Sequence, residues 1–332
     1  MTRHFCCHFD HNYLVRALVM TDSLKAHGVK FRLWVLCLTE ECKRILDAID
    51  SPNIKSYSLH TIEKERPELQ NAKGNRSISE YYFTLSPFWP NWLLENHPEI
   101  SAITYLDADL EFLSSPQCLF DEVEDSSIGI IEHRFHPTFD IARHSGRFNV
   151  GWVYFSRDRI SSSCLAKWQA QCLEWCKDHP EDGKFADQKY LDSWPDDFEG
   201  THIFSHPGAN LAPWNLNTHE IKRRGELLLS DDQPVVFYHF HMIKAFDANH
   251  LSTSLEIYRV PIEARKKIID WLYVPHISRL LEKEATLAQK GFKVKVFRSA
   301  RDYSKIDQHH RSEKSLDKRI QEGEIIRIRK PD

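Results

Sequence analysis

An apolar run at positions 103–106 opens into two aspartates with one residue between them, Leu106-Asp107-Ala108-Asp109-Leu110. The run predicts a buried strand, and in open α/β sheets the carboxyl ends of strands are where ligand groups gather. Side chains alternate faces along a strand, so Asp107 and Asp109 are expected on one face, with Ala108 turned away. Mg²⁺ or Mn²⁺ held by one or two carboxylates keeps positions open for phosphate oxygens. Asp-x-Asp by itself is common on solvated acidic turns. The strand ahead of it is what favours a metal.

Four further constellations stand at expected strand or helix ends. At 235–244 a strongly apolar strand ends in His239, His241 and Lys244. The two histidines alternate onto one face, and with a cation close behind them they suit a metal and a phosphate. A single histidine would more often be a satisfied core residue. Asp10, Asn12 and Tyr13 follow the first strand. They could cap the next helix, or they could grip a nucleotide base with Tyr13 packed on it. Asn149 precedes Gly151, which marks either a bulge or the close approach of a ligand. Asp187 and Gln188 open a short helix, where the plain role for Asp187 is an N-cap.

These groups must be positioned by alternating strands and helices. Strands are expected at 4–9, 31–38 and 54–59, with helices at 12–27 and from Glu40, which makes a βαβαβ nucleotide-binding half-sheet. Residues 72–96, aromatic and interrupted by Pro87 and Pro90, predict broken helices before the Asp-x-Asp strand. Later strands are expected at 128–132, 150–155, 202–204 and 235–240, and helices at 164–176 and 185–194. The fold class is therefore α/β, a Rossmann-like sheet flanked by helices. The composition shifts near Pro275, and the division expected is a nucleotide-binding domain over 1–250 with a helical and basic extension over 251–332.

The chain has 332 residues, 41% hydrophobic and 28% charged, enough for a large core. No run of eighteen apolar residues and no charged-then-apolar leader is evident, so a cytoplasmic protein is expected. Eight cysteines without a Cys-x-x-Cys pair predict buried, reduced thiols. The net charge of −4 conceals a basic tail, with 15 Lys and Arg against 9 Asp and Glu from His276 onward. That tail permits peripheral attraction to an anionic membrane face, the plainer alternative being a solvated helix. The acidic body, with no basic stripe interleaved with aromatics, disfavours nucleic acid.

The ordered series Asp10-x-Asn12-Tyr13, Asp107-Ala108-Asp109, Asn149-Val150-Gly151, Asp187-Gln188 and His239-Phe240-x-x-x-Lys244 resembles the GT-A nucleotide-sugar glycosyltransferases. The resemblance spans about residues 3–250 and is to the family 8 type, which includes bacterial lipooligosaccharide galactosyltransferases and glycogenin. It implies a retaining, metal-dependent transferase that takes a sugar from a nucleotide-diphosphate sugar, with UDP the expected nucleotide and Mn²⁺ or Mg²⁺ the expected cofactor. It further implies that Asp107, Asp109 and His239 hold the metal and that Asp10, Asn12 and Tyr13 grip the base. Asn149, Asp187 and Gln188 would line the donor sugar, with Lys244 on the diphosphate. The family's usual arginine ahead of the Asp-x-Asp strand is absent from positions 80–84, although Arg76 lies nearby.

Two other readings use the same residues. A phosphatase with Asp107 as nucleophile and Asp109 as acid would need a late acidic pair, for which Asp196-Asp197 or Asp231-Asp232 would have to serve. A non-catalytic nucleotide-sugar-binding protein would keep the cleft and lose the chemistry. The acceptor is expected to be a hydroxyl of a glycan or of a lipid-linked or other molecule. The turn-rich, aromatic segment 206–215 suits either a sugar-stacking acceptor loop or a packed connection.

Overall fold

The computed structural model describes residues 2–139, 144–247, 249–297 and 314–328. Eight strands come first in the chain: β1 (Arg3–Phe9), β2 (Phe31–Cys37), β3 (Ile54–Ser58), β4 (Ala102–Leu106), β5 (Leu110–Phe112), β6 (Ile128–Glu132), β7 (Phe148–Ser156) and β8 (Thr201–Phe204). All but β5 join one seven-stranded sheet in the order β3-β2-β1-β4-β7-β6-β8. The first four run parallel, and β7 lies antiparallel to both of its neighbours. The winding reverses between β1 and β4, which makes the crevice beyond their carboxyl ends the place for a ligand.

Both faces of the sheet are covered, so the strands read as nearly continuous apolar runs. Along β2, Leu33, Val35 and Cys37 pack toward helices Leu14–Ala26 and Glu40–Ile49, while Trp34 and Leu36 pack toward Phe88–Asn96. Thr39 caps the second of these helices by accepting from the Cys42 N–H at 3.3 Å. The aromatic stretch forms short helices as expected, among them Ile78–Thr84 and Phe88–Asn96. Pro87 and Pro90 fall at the start of the second, where a missing N–H costs little.

The strand expected to end at the two aspartates does so. β4 stops at Leu106, a turn carries the two aspartates, and β5 leaves the main sheet to pair elsewhere. After β8 come β9 (Ile221–Arg224), β10 (Leu227–Ser230) and β11 (Gln233–Pro234), then β12 (Phe237–His239), which pairs antiparallel with β5. The strand expected over 235–240 is thus shorter, because Val235 turns its N–H to Leu228 at 2.8 Å. The hairpin β9–β10 was not foreseen. β13 (Lys244–Ala245), β14 (His250–Ser252) and β15 (Ile325–Arg327) form a last small sheet.

Helix Ile262–Ile268 runs through a π-helical turn, Ile269–Tyr273, into helix Val274–Gln289. A buried cluster unites Tyr238 and Phe240 with Tyr273, Ile277 and Ile326, so the core continues across position 250. All eight cysteines are free thiols, and all but Cys118 are buried. Among the described residues no helix is long and apolar enough to cross a membrane. Residues 298–313 and 329–332 of the basic tail lie outside the described residues.

Candidate metal centre and donor cleft

Three side chains, two from a turn and one from the end of β12, meet beyond the end of β4. The Asp107 N–H donates to Gly151 O at 3.2 Å, which extends the β4–β7 pairing one residue past Leu106 and Trp152. The Asp109 carbonyl accepts from the Phe240 N–H at 3.0 Å, and the β5–β12 register sets His239 opposite Leu110. His239 Nε2 therefore lies 3.0 Å from Asp109 Oδ1 and 3.7 Å from Asp107 Oδ2. One ligand atom from each of the three falls within 4.8 Å of the others. The aspartates are gathered by a turn and a two-stranded ribbon, and not by alternation along one strand as expected.

Burial and mutual charge compete in the electrostatics here. Burial pushes Asp107 up to about 6, against the pull of His239 and with the repulsion of Asp109. Asp109 is buried as well, but the charge and hydrogen bond of His239 overcome that cost and hold its carboxyl below the ordinary range. His239 is in turn raised, since the two acids outweigh its desolvation. Two carboxylates and an imidazole suit Mn²⁺ or Mg²⁺ and leave positions for phosphate oxygens. His239 Nδ1 is buried without a hydrogen-bond partner among the described residues.

Gly151 explains the tight fit behind that ring. A Cβ there would meet Asn149 Oδ1 at 2.5 Å and His239 Nδ1 at 3.0 Å. The Asn149 Oδ1 accepts from the Gly151 N–H at 3.0 Å, so the buried amide is locked against the strand beside the histidine.

Asp187 is 6% exposed, and burial pushes it up to about 7, against a hydrogen bond from Ser86 and with repulsion from Asp107. It caps nothing: the 3₁₀ helix Lys189–Ser193 begins at Gln188 with no side-chain cap. Ala186 just before it holds φ +46°, a strained choice for a residue with a Cβ. Gln188 turns its amide to Ser145 O at 2.7 Å.

At the end of β1, Asp10 accepts from both the backbone and the side chain of Asn12, at 2.8 and 2.7 Å. Helix Leu14–Ala26 has Tyr13 as its N-cap with no side-chain bond, so the capping role weighed for Asp10 and Asn12 does not occur. Tyr13 is 46% exposed. Past β12, His241 lies 6.1 Å from His239 between ring centroids and is pushed down to about 4 by burial, then by His239. Lys244, which opens β13, acts on His241 electrostatically.

Some expected roles fail. Arg76 donates to Cys172 O and Leu173 O at 2.6 Å, so it closes the end of helix Arg159–Glu174. Segment 206–215 is a packed connection. Asn215 donates to His133 O and Asn210 O, and Trp214 is 4% exposed. Trp214 instead buttresses the centre, edge-on to His239 at 5.1 Å and to His241 at 5.4 Å. That role was missed, as was Arg16, whose charge helps hold Asp109 ionised and whose guanidinium lies 5.0 Å from the Tyr13 ring centre. Its place one turn after Asn12, on the helix leaving β1, was the available signal. The acids a phosphatase would need are engaged elsewhere: Asp197 with Lys167, Asp231 with His219 and Asp232 with Lys222.

No protein-family model matches the chain. Two relatives from Bacillus subtilis strain 168 match most of it. The uncharacterized protein YfnD is 28% identical over 284 residues, 85% of this chain and 90% of the relative. The uncharacterized protein YfnF is 29% identical over 293 residues, 85% and 95% of the two chains. Among solved structures, an active-site mutant of LgtC superposes with a TM-score of 0.50 at 16% identity, over 73% of this chain and 88% of that one. The fold is GT-A. A second structure of LgtC, there called a galactosyltransferase and bound to donor and acceptor sugar analogues, gives 0.49 at 17% identity over 72% and 87%.

Proposed function

We propose that the chain is a metal-dependent glycosyltransferase, moving a hexose from a nucleotide-diphosphate sugar to an acceptor hydroxyl. The observation that carries this reading is the convergence of Asp107, Asp109 and His239 at the switch point of a GT-A sheet, with Asp187 buried beside them. In this reading Asp107, Asp109 and His239 hold Mn²⁺ or Mg²⁺, and the bound cation supplies compensation for the charge of the departing diphosphate. Lys244 and His241 face the same charge from β13 and the turn before it. Asp10, Asn12 and Tyr13 take the base of UDP.

The sugar–phosphate bond breaks as the acceptor oxygen forms its bond to the anomeric carbon, and the acceptor proton passes to the departing phosphate. With retention no separate carboxylate base is needed. Asp187, poised near neutrality, orients a sugar hydroxyl and stabilises positive charge at the reacting carbon, with Gln188 and Asn149 completing the wall. Residues 1–250 supply this machinery and 251–332 form the extension, whose basic end would meet an anionic membrane surface.

The test is a panel of nucleotide sugars incubated with Mn²⁺ and no acceptor. UDP released from a UDP-hexose, and none in chelator, supports the reading. Inorganic phosphate released from phosphomonoesters, with nucleotide sugars untouched, would overturn it in favour of the phosphatase.

A further inference from the structure

Behind the Asp-x-Asp turn lies a charged cluster that the chemistry above does not use. Glu111, on β5 two residues after Asp109, is 3% exposed. Its Oε2 meets His276 Nδ1 at 2.5 Å, and its Oε1 meets an Arg279 nitrogen at 2.5 Å. A buried carboxylate needs such partners, since desolvation would otherwise drive it neutral. The His276 ring is 1% exposed and lies flat on Phe240, centroids 3.6 Å apart and planes 3° apart. Phe240 is the residue whose N–H holds the Asp109 carbonyl.

The helix that brings these groups does so along one side. Tyr273, His276, Leu280, Lys283 and Leu287 recur at helical spacing. Tyr273 reaches the Tyr238 hydroxyl at 3.2 Å, and Lys283 reaches Asp22 on helix Leu14–Ala26 at 2.6 Å. His276 thus touches both strands of the ribbon, Glu111 on β5 and Phe240 just past β12. His239 ends β12, and Asp109 directly precedes β5. Loosening the ribbon separates the groups that must stay 3.0 Å apart.

We propose that His276 and Glu111 are positioning residues for the metal centre: the helix Val274–Gln289 clamps the ribbon that presents Asp109 and His239. This rests on the metal reading of that triad. Groups that orient metal ligands from outside the coordination sphere are worth about 10–100-fold in affinity.

The full chain is titrated with Mn²⁺, and the free ion is read by electron paramagnetic resonance, without nucleotide or turnover. His276→Ala and Glu111→Ala are expected to weaken Mn²⁺ binding about tenfold or more, and the double variant little further, since both act on one clamp. His276→Gln and Glu111→Gln, which keep polar groups in place, serve where an alanine variant does not melt cooperatively. They are expected to show a smaller loss of the same kind. Folded variants that bind Mn²⁺ within twofold of wild type would make the cluster an ordinary structural ion pair and overturn the proposal. A wild-type chain that binds no Mn²⁺ overturns the metal reading and this proposal together.

Discussion

Gly151 and His239 are in contact so close that one methyl group would disturb it: a Cβ at 151 would stand 3.0 Å from His239 Nδ1 and 2.5 Å from Asn149 Oδ1. Both neighbours are buried, and the histidine faces the two aspartates with its other nitrogen. Gly151→Ala is therefore expected to displace a metal ligand with little effect on the backbone. Calorimetric titration should show Mn²⁺ affinity lowered by about tenfold or more, as for outer groups that orient a ligand. Unchanged affinity would mean the ring has room to move.

Asp107→Asn and Asp109→Asn should each lower transfer activity by about two orders of magnitude or more, as expected when charge stabilisation in the transition state is removed. Full activity in excess chelator would contradict the role.

Metal binding should also depend on acidity. Burial raises Asp107 to about 6, and coordination needs its ionised form. Coordination also needs His239 unprotonated, and the two aspartates raise it above its ordinary value, so affinity is expected to fall as pH drops through both groups, by about tenfold per unit for each proton displaced. A titration series from pH 5 to pH 8 reads this directly.

Asp187 separates function from stability. Its folded-state pKa of about 7 lies above the ordinary carboxylate value. The protonated form therefore contributes stability at low pH, and this contribution is lost as pH rises toward 7. Asp187→Asn removes that slope, so its melting temperature relative to wild type should be higher at pH 8 than at pH 5. Its turnover should fall while UDP affinity survives, because the interaction matters mainly in the transition state. Intact turnover would return Asp187 to a purely structural place.

Base recognition is checked by comparing UDP, GDP and ADP in calorimetry. Asp10→Ala frees the Asn12 amide that the carboxylate now holds, and should weaken UDP binding selectively. Equal affinity for the three nucleotides would remove the assignment.

Much of this architecture is legible from apolar runs. β2 and β6 appear where continuous hydrophobic segments require a doubly covered sheet, and the aspartates stand where β4 must end. The ribbon was not legible, because β5 and β12 have three residues each and acquire their identity only by pairing with each other. Segment 206–215 stayed open between an acceptor loop and a packed connection for a related reason: Pro and Asn beside an aromatic describe a turn equally well whether it lies open or buried. Arg76 lies near the positions where the family's arginine would stand, but the unpaired carbonyls closing helix Arg159–Glu174 claim it. Local pattern has no access to such long-range demands.

The clamp between Glu111 and His276 joins residues 165 positions apart. A contact of such separation forms late, because the intervening loop must close before the pairing can reward it. On a ribosome adding about 5–20 residues per second, Asp107 and Asp109 are made many seconds before the histidines that organise them. A cation held by the proposed triad would therefore be captured only after the C-terminal half of the chain is made, among the last events of folding.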